Sequence, residues 1–237
     1  MKRLAIAIAA ISSLFALPAT AEPIRITSLD WPPYAGEALP QQGTSITLIR
    51  GLFAKANMEL EVEFLPWERA IRKAMEGEGF VGYGPEYYDT ALDTEKGGDR
   101  CLFSKPYQSG PLGLVVRSSA PMQWSGVADL AGKVIGTVSG YVNTAEFDAM
   151  AAAGAIKVES VADDATNIRK VAAGRVPAAV IDANVLAYLL ENDPALSGLA
   201  GQVQFSPTLL EDKSLYICFR PDEAGQKARA AFNAQIP

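Results

Sequence analysis

Short period-two apolar runs alternate with apolar stripes of period 3.6 along most of this chain, and few folds other than layered α/β ones accept that alternation. Ile24 to Leu29 reads as a strand. Ile46, Ile49, Leu52, Phe53 and Ala56 then recur at helical spacing behind Thr44 or Ser45, either of which is a natural N-cap. Leu60 to Leu65 alternates as a strand, and Trp67, Ala70, Ile71, Ala74 and Met75 form a second helical stripe closed by Gly77. Phe80 to Tyr83 is a third strand, so the order is β-α-β-α-β, which builds a mainly parallel sheet under helices.

A second unit of the same kind follows an apolar strand, Leu112 to Arg117, long enough to connect two lobes. Strands are predicted at Val134 to Val138, Val158 to Val161 and Ala178 to Ile181, with helices at Thr144 to Ala153, Asp164 to Ala173 and Asn184 to Glu191. Gly154 and Gly174 stop two of these helices. Leu215 to Phe219 is a last strand, and Asp222 caps a final helix running to Ala234. There is no low-complexity linker and no repeat of 20–50 residues. Two α/β lobes joined by strands leave a cleft between them, where small ligands most often bind.

Residues 1–21 read as an export signal: Lys2-Arg3, an apolar run from Leu4, Pro18, and small residues Ala19 and Ala21 ahead of a cleavage point before Glu22. The run is too short for a membrane anchor, no Cys stands at the cleavage point for lipidation, and the expected location is the periplasm. Export makes a structural disulfide between Cys101 and Cys218 the favoured reading, with two buried free thiols as the alternative. The chain of 237 residues contains no His, which removes the commonest general base, nucleophile partner and zinc ligand, so neither metal nor cofactor is expected. Its net charge of −6 has the wrong sign for nucleic acid or an anionic membrane.

Four motifs in order resemble the family 3 extracellular solute-binding proteins, the bilobed receptors of polar amino-acid ABC importers. They are Leu29-Asp30-Trp31-Pro32-Pro33-Tyr34, Phe103-Ser104-Lys105-Pro106-Tyr107, Asp129-Leu130-Ala131-Gly132-Lys133, and Gly174-Arg175 followed by Ala178-Ala179-Val180-Ile181-Asp182. The resemblance spans the chain from about Ile24 to the last helix. It implies a monomeric two-lobed periplasmic-binding-protein fold (type II), each lobe a mixed, mainly parallel sheet flanked by helices, the lobes joined by two crossover strands. Lobe I would comprise 22–112 and 207–237, and lobe II 113–206. Family members continue with a further helix and strand, which gives the expectation of a lobe I shortened at that edge.

The resemblance also places a cleft. Asp182 would hold a ligand ammonium, with capping of the next helix as the competing role. Gly140 and Tyr141, in the turn before a helix, would offer backbone N–H groups to a ligand carboxylate, unless that turn is simply capped by Asn143. Trp31, Tyr34, Trp67, Tyr83 and Tyr107 supply aromatic walls, and Ser109 is a further candidate contact. The Arg that grips the ligand carboxylate in such proteins is missing, since Lys96 stands near its place, and Arg100 or Arg69 is left as substitute. The leading expectation is a binding protein that closes on an amino acid or related amine or organic acid by hinge motion near Leu114 to Val116 and Gln204 to Thr208. The alternatives are a dehydratase-like enzyme using Glu86 or Asp182 as acid or base, and a ligand-sensing partner of a membrane receptor.

Overall fold

The structure, a computed structural model, describes residues 22–77 and 79–237; the export segment expected over 1–21 lies outside them. Lobe I is built from β1 (Ile24–Ser28), α1 (Thr44–Lys55), β2 (Leu60–Phe64), α2 (Trp67–Glu76), β3 (Gly82–Tyr87) and the short β4 (Leu102–Phe103). The chain crosses on β5 (Gln108–Arg117) to β6 (Val134–Val138), α3 (Ala145–Ala152), β7 (Lys157–Val161), α4 (Asp164–Ala172), β8 (Ala178–Asp182) and α5 (Ala183–Asn192) of lobe II. It returns on β9 (Val203–Phe219) and ends in α6 (Glu223–Asn233), which packs back on lobe I.

The two lobes share one nine-stranded sheet in the order β2-β1-β3-β9-β5-β8-β6-β7, with β4 also paired to β9. Within each lobe the strands separated by helices are parallel: β1 with β2 and β3, and β6 with β7 and β8. The antiparallel ribbon of β5 and β9 runs between them, β9 holding β3 and β4 on one side and β5 holding β8 on the other. The ribbon loses register at Leu112/Gly113 and again at Gly113/Val115, opposite Phe205 to Glu211. Register shifts interrupt a ladder and let it bend, so the ribbon is weakest where it passes between the lobes.

Local chemistry explains the boundaries. Neither Thr44 nor Ser45 caps α1: Gly43 holds that position with φ 102°, and Ser45 donates to the Gln108 side chain instead. Thr144, not Asn143, caps α3 through the Phe147 N–H at 3.2 Å. Asp222 caps α6 through Gly225 N–H, as its sequence pattern indicates. The strand predicted at 215–219 extends twelve residues further toward the N-terminus, through a stretch whose Pro207, Glu211, Asp212 and Lys213 carry no strand-like periodicity.

One core lies under α1 and α6 of lobe I, where Ile26, Ile46, Ile49, Phe53, Phe219 and Phe232 are fully buried. The other runs from the cleft wall into lobe II, through Tyr83, Leu114, Ile135, Phe147, Ile168 and Val185. Cys101 and Cys218 form a disulfide with their Cα atoms 5.5 Å apart, both residues fully buried inside lobe I. Among the described residues no helix is long and apolar enough to cross a membrane.

Candidate functional site

The cleft lies beyond the carboxyl ends of the parallel strands, the usual ligand position in open α/β sheets. The loop after β1 brings Leu29 to Tyr34 there, β3 ends in Glu86 and Tyr87, and α2 begins with Trp67 at the same edge. From lobe II come the 139–142 turn after β6, Asp163 and Asp164 after β7, and Asp182 at the end of β8.

The lobes touch. Trp67 Nε1 donates to the Gly140 carbonyl at 3.0 Å, and Ser139 Oγ donates to the Glu68 carboxylate at 2.6 Å. Gly140 sits at φ 76°, a conformation that suits glycine and turns its carbonyl toward the indole. Tyr34 OH donates to Asp182 Oδ2 at 3.1 Å and accepts from Asn184 Nδ2 at 2.8 Å. Asp182 Oδ1 meanwhile takes the Asn184 and Val185 N–H groups, so this residue caps α5 and bridges the lobes at once.

Behind these bridges an aromatic box closes over Glu86. Trp31 stacks on Tyr34 with centroids 4.6 Å apart and meets Tyr87 and Tyr141 edge-on at 5.7 and 6.4 Å. Trp67 meets Tyr83 and Tyr141 edge-on at 5.3 and 6.2 Å. Each such pair contributes about 0.5–1.5 kcal/mol beyond area burial. The space they enclose is about 20 Å³, room for roughly one water. A mouth of about 410 Å³ adjoins it, sharing Trp31, Trp67 and Tyr141 and lined by Asp30, Glu37, Asp163 and Asp164.

Desolvation dominates the charges here. Burial pushes the Glu86 carboxyl up to about 8, against lowering by the Tyr87 N–H, Arg100, Tyr83 and Lys213. It pushes Asp164 up to about 7, with Asp163 and Asp182 adding repulsion and the Trp31 indole opposing. Asp182 rises to about 6 by burial, in spite of its two backbone donors. Opening the cleft rehydrates all three. A carboxyl with a higher pKa when closed makes closure bind protons, so closure is favoured at low pH and weakens as pH rises from about 4 through about 8. The ligand-free protein is therefore expected to be more compact at pH 5 than at pH 8.5 by small-angle scattering, and equal dimensions at both values would refute this.

The candidate residues divide cleanly. Trp31, Tyr34, Trp67, Tyr83, Gly140, Tyr141 and Asp182 converge on the cleft. Three do not. Arg69 is exposed and lines a separate surface depression with Glu63, Arg72 and Glu76, on the turn of α2 facing away from the cleft. Tyr107 lies against Phe232 in the lobe I core at 5.8 Å, and Ser109 is exposed on β5, whose alternation turns its neighbour Gly110 inward instead. Lys96 is exposed as well, because Arg229 of α6 grips the adjacent Glu95 bidentately at 2.9 and 2.7 Å and holds that loop on the far side. In the turn expected to receive a ligand carboxylate, the Tyr141 N–H goes to the Val138 carbonyl at 3.2 Å, and Asp148 accepts from the Asn143 N–H at 2.9 Å and its side-chain amide at 2.8 Å. Asp163 and Asp164 escaped the sequence reading as site residues, although their place between a strand and a helix at the sheet's carboxyl edge was the available signal. Among the described residues no group of three His, Cys, Asp or Glu side chains is placed to hold a metal ion.

Solved structures share this architecture. An ancestral arginine-binding protein bound to arginine superposes with a TM-score of 0.67 at 20% identity, covering 91% of this chain and 92% of that one. The GluR0 ligand-binding core from Nostoc punctiforme in complex with L-glutamate gives 0.67 at 19% identity, covering 90% and 91%. The VFT2 domain of Bordetella pertussis BvgS, a double mutant, gives 0.69 at 17% identity, covering 90% and 86%. At such identities the likeness establishes the two-lobed fold. No curated protein sequence matches the chain significantly. The family model that does match, over residues 46–225, is not the family 3 that the four motifs resemble; it is NMT1/THI5 like, and the chain belongs to that family.

Proposed function

We propose that this chain is a solute-binding protein that captures a small polar, amine-bearing ligand between its lobes and delivers it to an ABC importer from the periplasm. The observation that carries this is the convergence of side chains from both lobes on one aromatic, acid-lined cleft spanned by a two-stranded ribbon. Lobe I would be 22–112 with 207–237 and lobe II 113–206, released from residues 1–21 on export. A ligand touching both lobes stabilises the closed form by its differential affinity for that form. The inner space of about 20 Å³ is too small for an amino acid while Trp67 and Tyr34 bridge the lobes, and parting them along β5 and β9 would enlarge it. The arginine- and glutamate-bound neighbours support a binding role over an enzymatic one.

Titrating the purified chain with amino acids, polyamines and organic acids tests the proposal. Trp31 and Trp67 both sit at the lobe contact, so a ligand should change their fluorescence saturably and shift the thermal midpoint upward. Absence of any response across the three classes, on folded protein, would overturn it. The likeness to the BvgS VFT2 domain favours a second reading in which the same closure signals to a membrane receptor. Uptake by vesicles carrying the importer separates delivery from signalling.

A further inference from the structure

Of the anion anchors named from the sequence, only Arg100 stays near this cleft, and it lies behind Tyr83 and Glu86, whose charge it offsets. Lys96 and Arg69 are exposed elsewhere, and in the 139–143 turn the Tyr141 N–H is spent on the Val138 carbonyl and the Asn143 N–H on Asp148. Among the described residues no Lys or Arg lines either the inner space or its mouth. Four carboxylates line the mouth, and a fifth, Glu86, lies on the inner floor at 4% exposure with Oε2 unpartnered. The Tyr87 hydroxyl, on the same wall, is also buried without a partner. Unpartnered buried oxygens are costly unless a ligand completes them: an ionised Glu86 is completed by a donor or by a cation in contact, and the Tyr87 hydroxyl can accept from a ligand or donate to one.

Resting on the solute-binding reading above, we infer that the ligand is an organic cation without a carboxylate, a primary or quaternary amine seated among Trp31, Trp67, Tyr87 and Tyr141 over Glu86. Aromatic faces attract a cation through their quadrupoles, most strongly where water is excluded, and the box supplies faces from both lobes. The acidic mouth concentrates cations at its entrance and repels anions. Zwitterionic amino acids bring a carboxylate into a field of like charge with nothing to pair it. A second ammonium on the same molecule, as in a diamine, would reach Asp163 and Asp164 at the mouth.

Glu86 also sets a pH dependence. The groups facing it are Tyr83 and Tyr87 of β3, Arg100 ahead of β4, Lys213 of β9, and Trp67 and Tyr141 across the space. Lys213 is engaged by the Tyr88 carbonyl at 3.4 Å and by Glu211 at 3.6 Å, and its ammonium lies 5.9 Å from the centre of the Tyr87 ring without lining the space itself. In the closed ligand-free form Glu86 holds a proton that a bound cation displaces, so binding to that form should strengthen with pH, by up to about tenfold per unit below the Glu86 titration at about 8.

Calorimetric titration of the full chain with choline, putrescine, L-arginine, L-glutamate and succinate, at pH 6 and pH 8, tests this. Choline or putrescine should bind, more tightly at pH 8, with glutamate and succinate silent. Glu86→Gln should weaken that binding at least about tenfold and flatten its pH dependence, while Trp31→Ala weakens it without flattening. Glutamate or succinate binding with lobe closure, through Arg100 for instance, overturns the cation assignment and leaves the solute-binding reading intact. Preference for arginine over both cations overturns it too, since the carboxylate is then being recognised. If none of the five compounds and no member of the wider panel binds, the solute-binding reading itself falls.

Discussion

Replacing Cys101 and Cys218 together by Ala lowers the thermal midpoint by about 10 °C. The bond closes a loop spanning 117 positions, and chain-entropy arguments give about 4–5 kcal/mol for a loop of that length, of which about 3–4 kcal/mol is commonly realised. For a chain of this size each kcal/mol corresponds to about 2–4 °C. Alanine is the cleaner replacement, because serine would bury two hydroxyls at fully enclosed positions. The bond joins the entry of β4 to β9 within lobe I and spans neither the cleft nor the β5–β9 bends. Ligand affinity should accordingly change by no more than about fivefold, roughly 1 kcal/mol. Differential scanning calorimetry of parent and double variant, each with and without reductant, decides it. A loss below about 1 kcal/mol would mean that the unfolded chain is already restrained, and a large loss of affinity with little loss of stability would mean that the bond shapes the cleft.

That the disulfide and most elements were legible in advance has a local cause. α2, β6, β8 and α6 each carry their apolar pattern, and their stop or cap residues, within their own sequence. The first half of β9 does not. Its partners are β5 across a bent ladder and Trp124 against Ser206, contacts made between segments remote in sequence, so nothing periodic marks it. The site divides along the same line. Trp31, Tyr34 and Asp182, which the structure brings to the lobe contact, sit in motifs at strand ends, and that is what marks them in the sequence. Arg69 was misplaced because charge identifies a candidate but not the face of the helix that carries it; helical phase puts Trp67 and Ala70 on the buried side and Arg69 outside. Glu86 entered the reading only as a candidate acid or base. What makes it stand out is burial with an unpartnered oxygen, a property of the closed cleft as a whole. Asp148 shows the converse: a carboxylate five residues past Asn143 is unremarkable in sequence, yet it takes both donors of Asn143 at the end of the turn that the family resemblance places at a ligand.

Gly110→Ala is expected to hold the lobes apart and weaken ligand binding about 100-fold, while leaving the fold in place. Gly110 is buried on β5 directly below the hydrogen bond between Tyr34 of lobe I and Asp182 of lobe II. A methyl group there would overlap the Tyr34 hydroxyl and the Asp182 carboxylate, and neither can retreat freely. Tyr34 is pinned by its stack on Trp31, and Asp182 by the two N–H groups of α5. Parting the lobes relieves the overlap at the cost of the bridge. If the closed fraction falls from about 0.9 to about 0.01, apparent affinity falls by the same ratio, about 2.7 kcal/mol. Tyr34→Phe provides the control. It deletes the hydroxyl and keeps the stack, leaving Asp182 Oδ2 and Asn184 Nδ2 short of a partner, so affinity should drop only about tenfold. In the double variant the overlap with the hydroxyl is gone, and the two losses should be less than additive, as expected for groups in direct contact. Small-angle scattering reports the closure and calorimetry the affinity. Parent-like compaction and affinity in Gly110→Ala would show that the Tyr34–Asp182 contact does not govern closure, and strictly additive losses would place the effect of the methyl group somewhere other than the bridge.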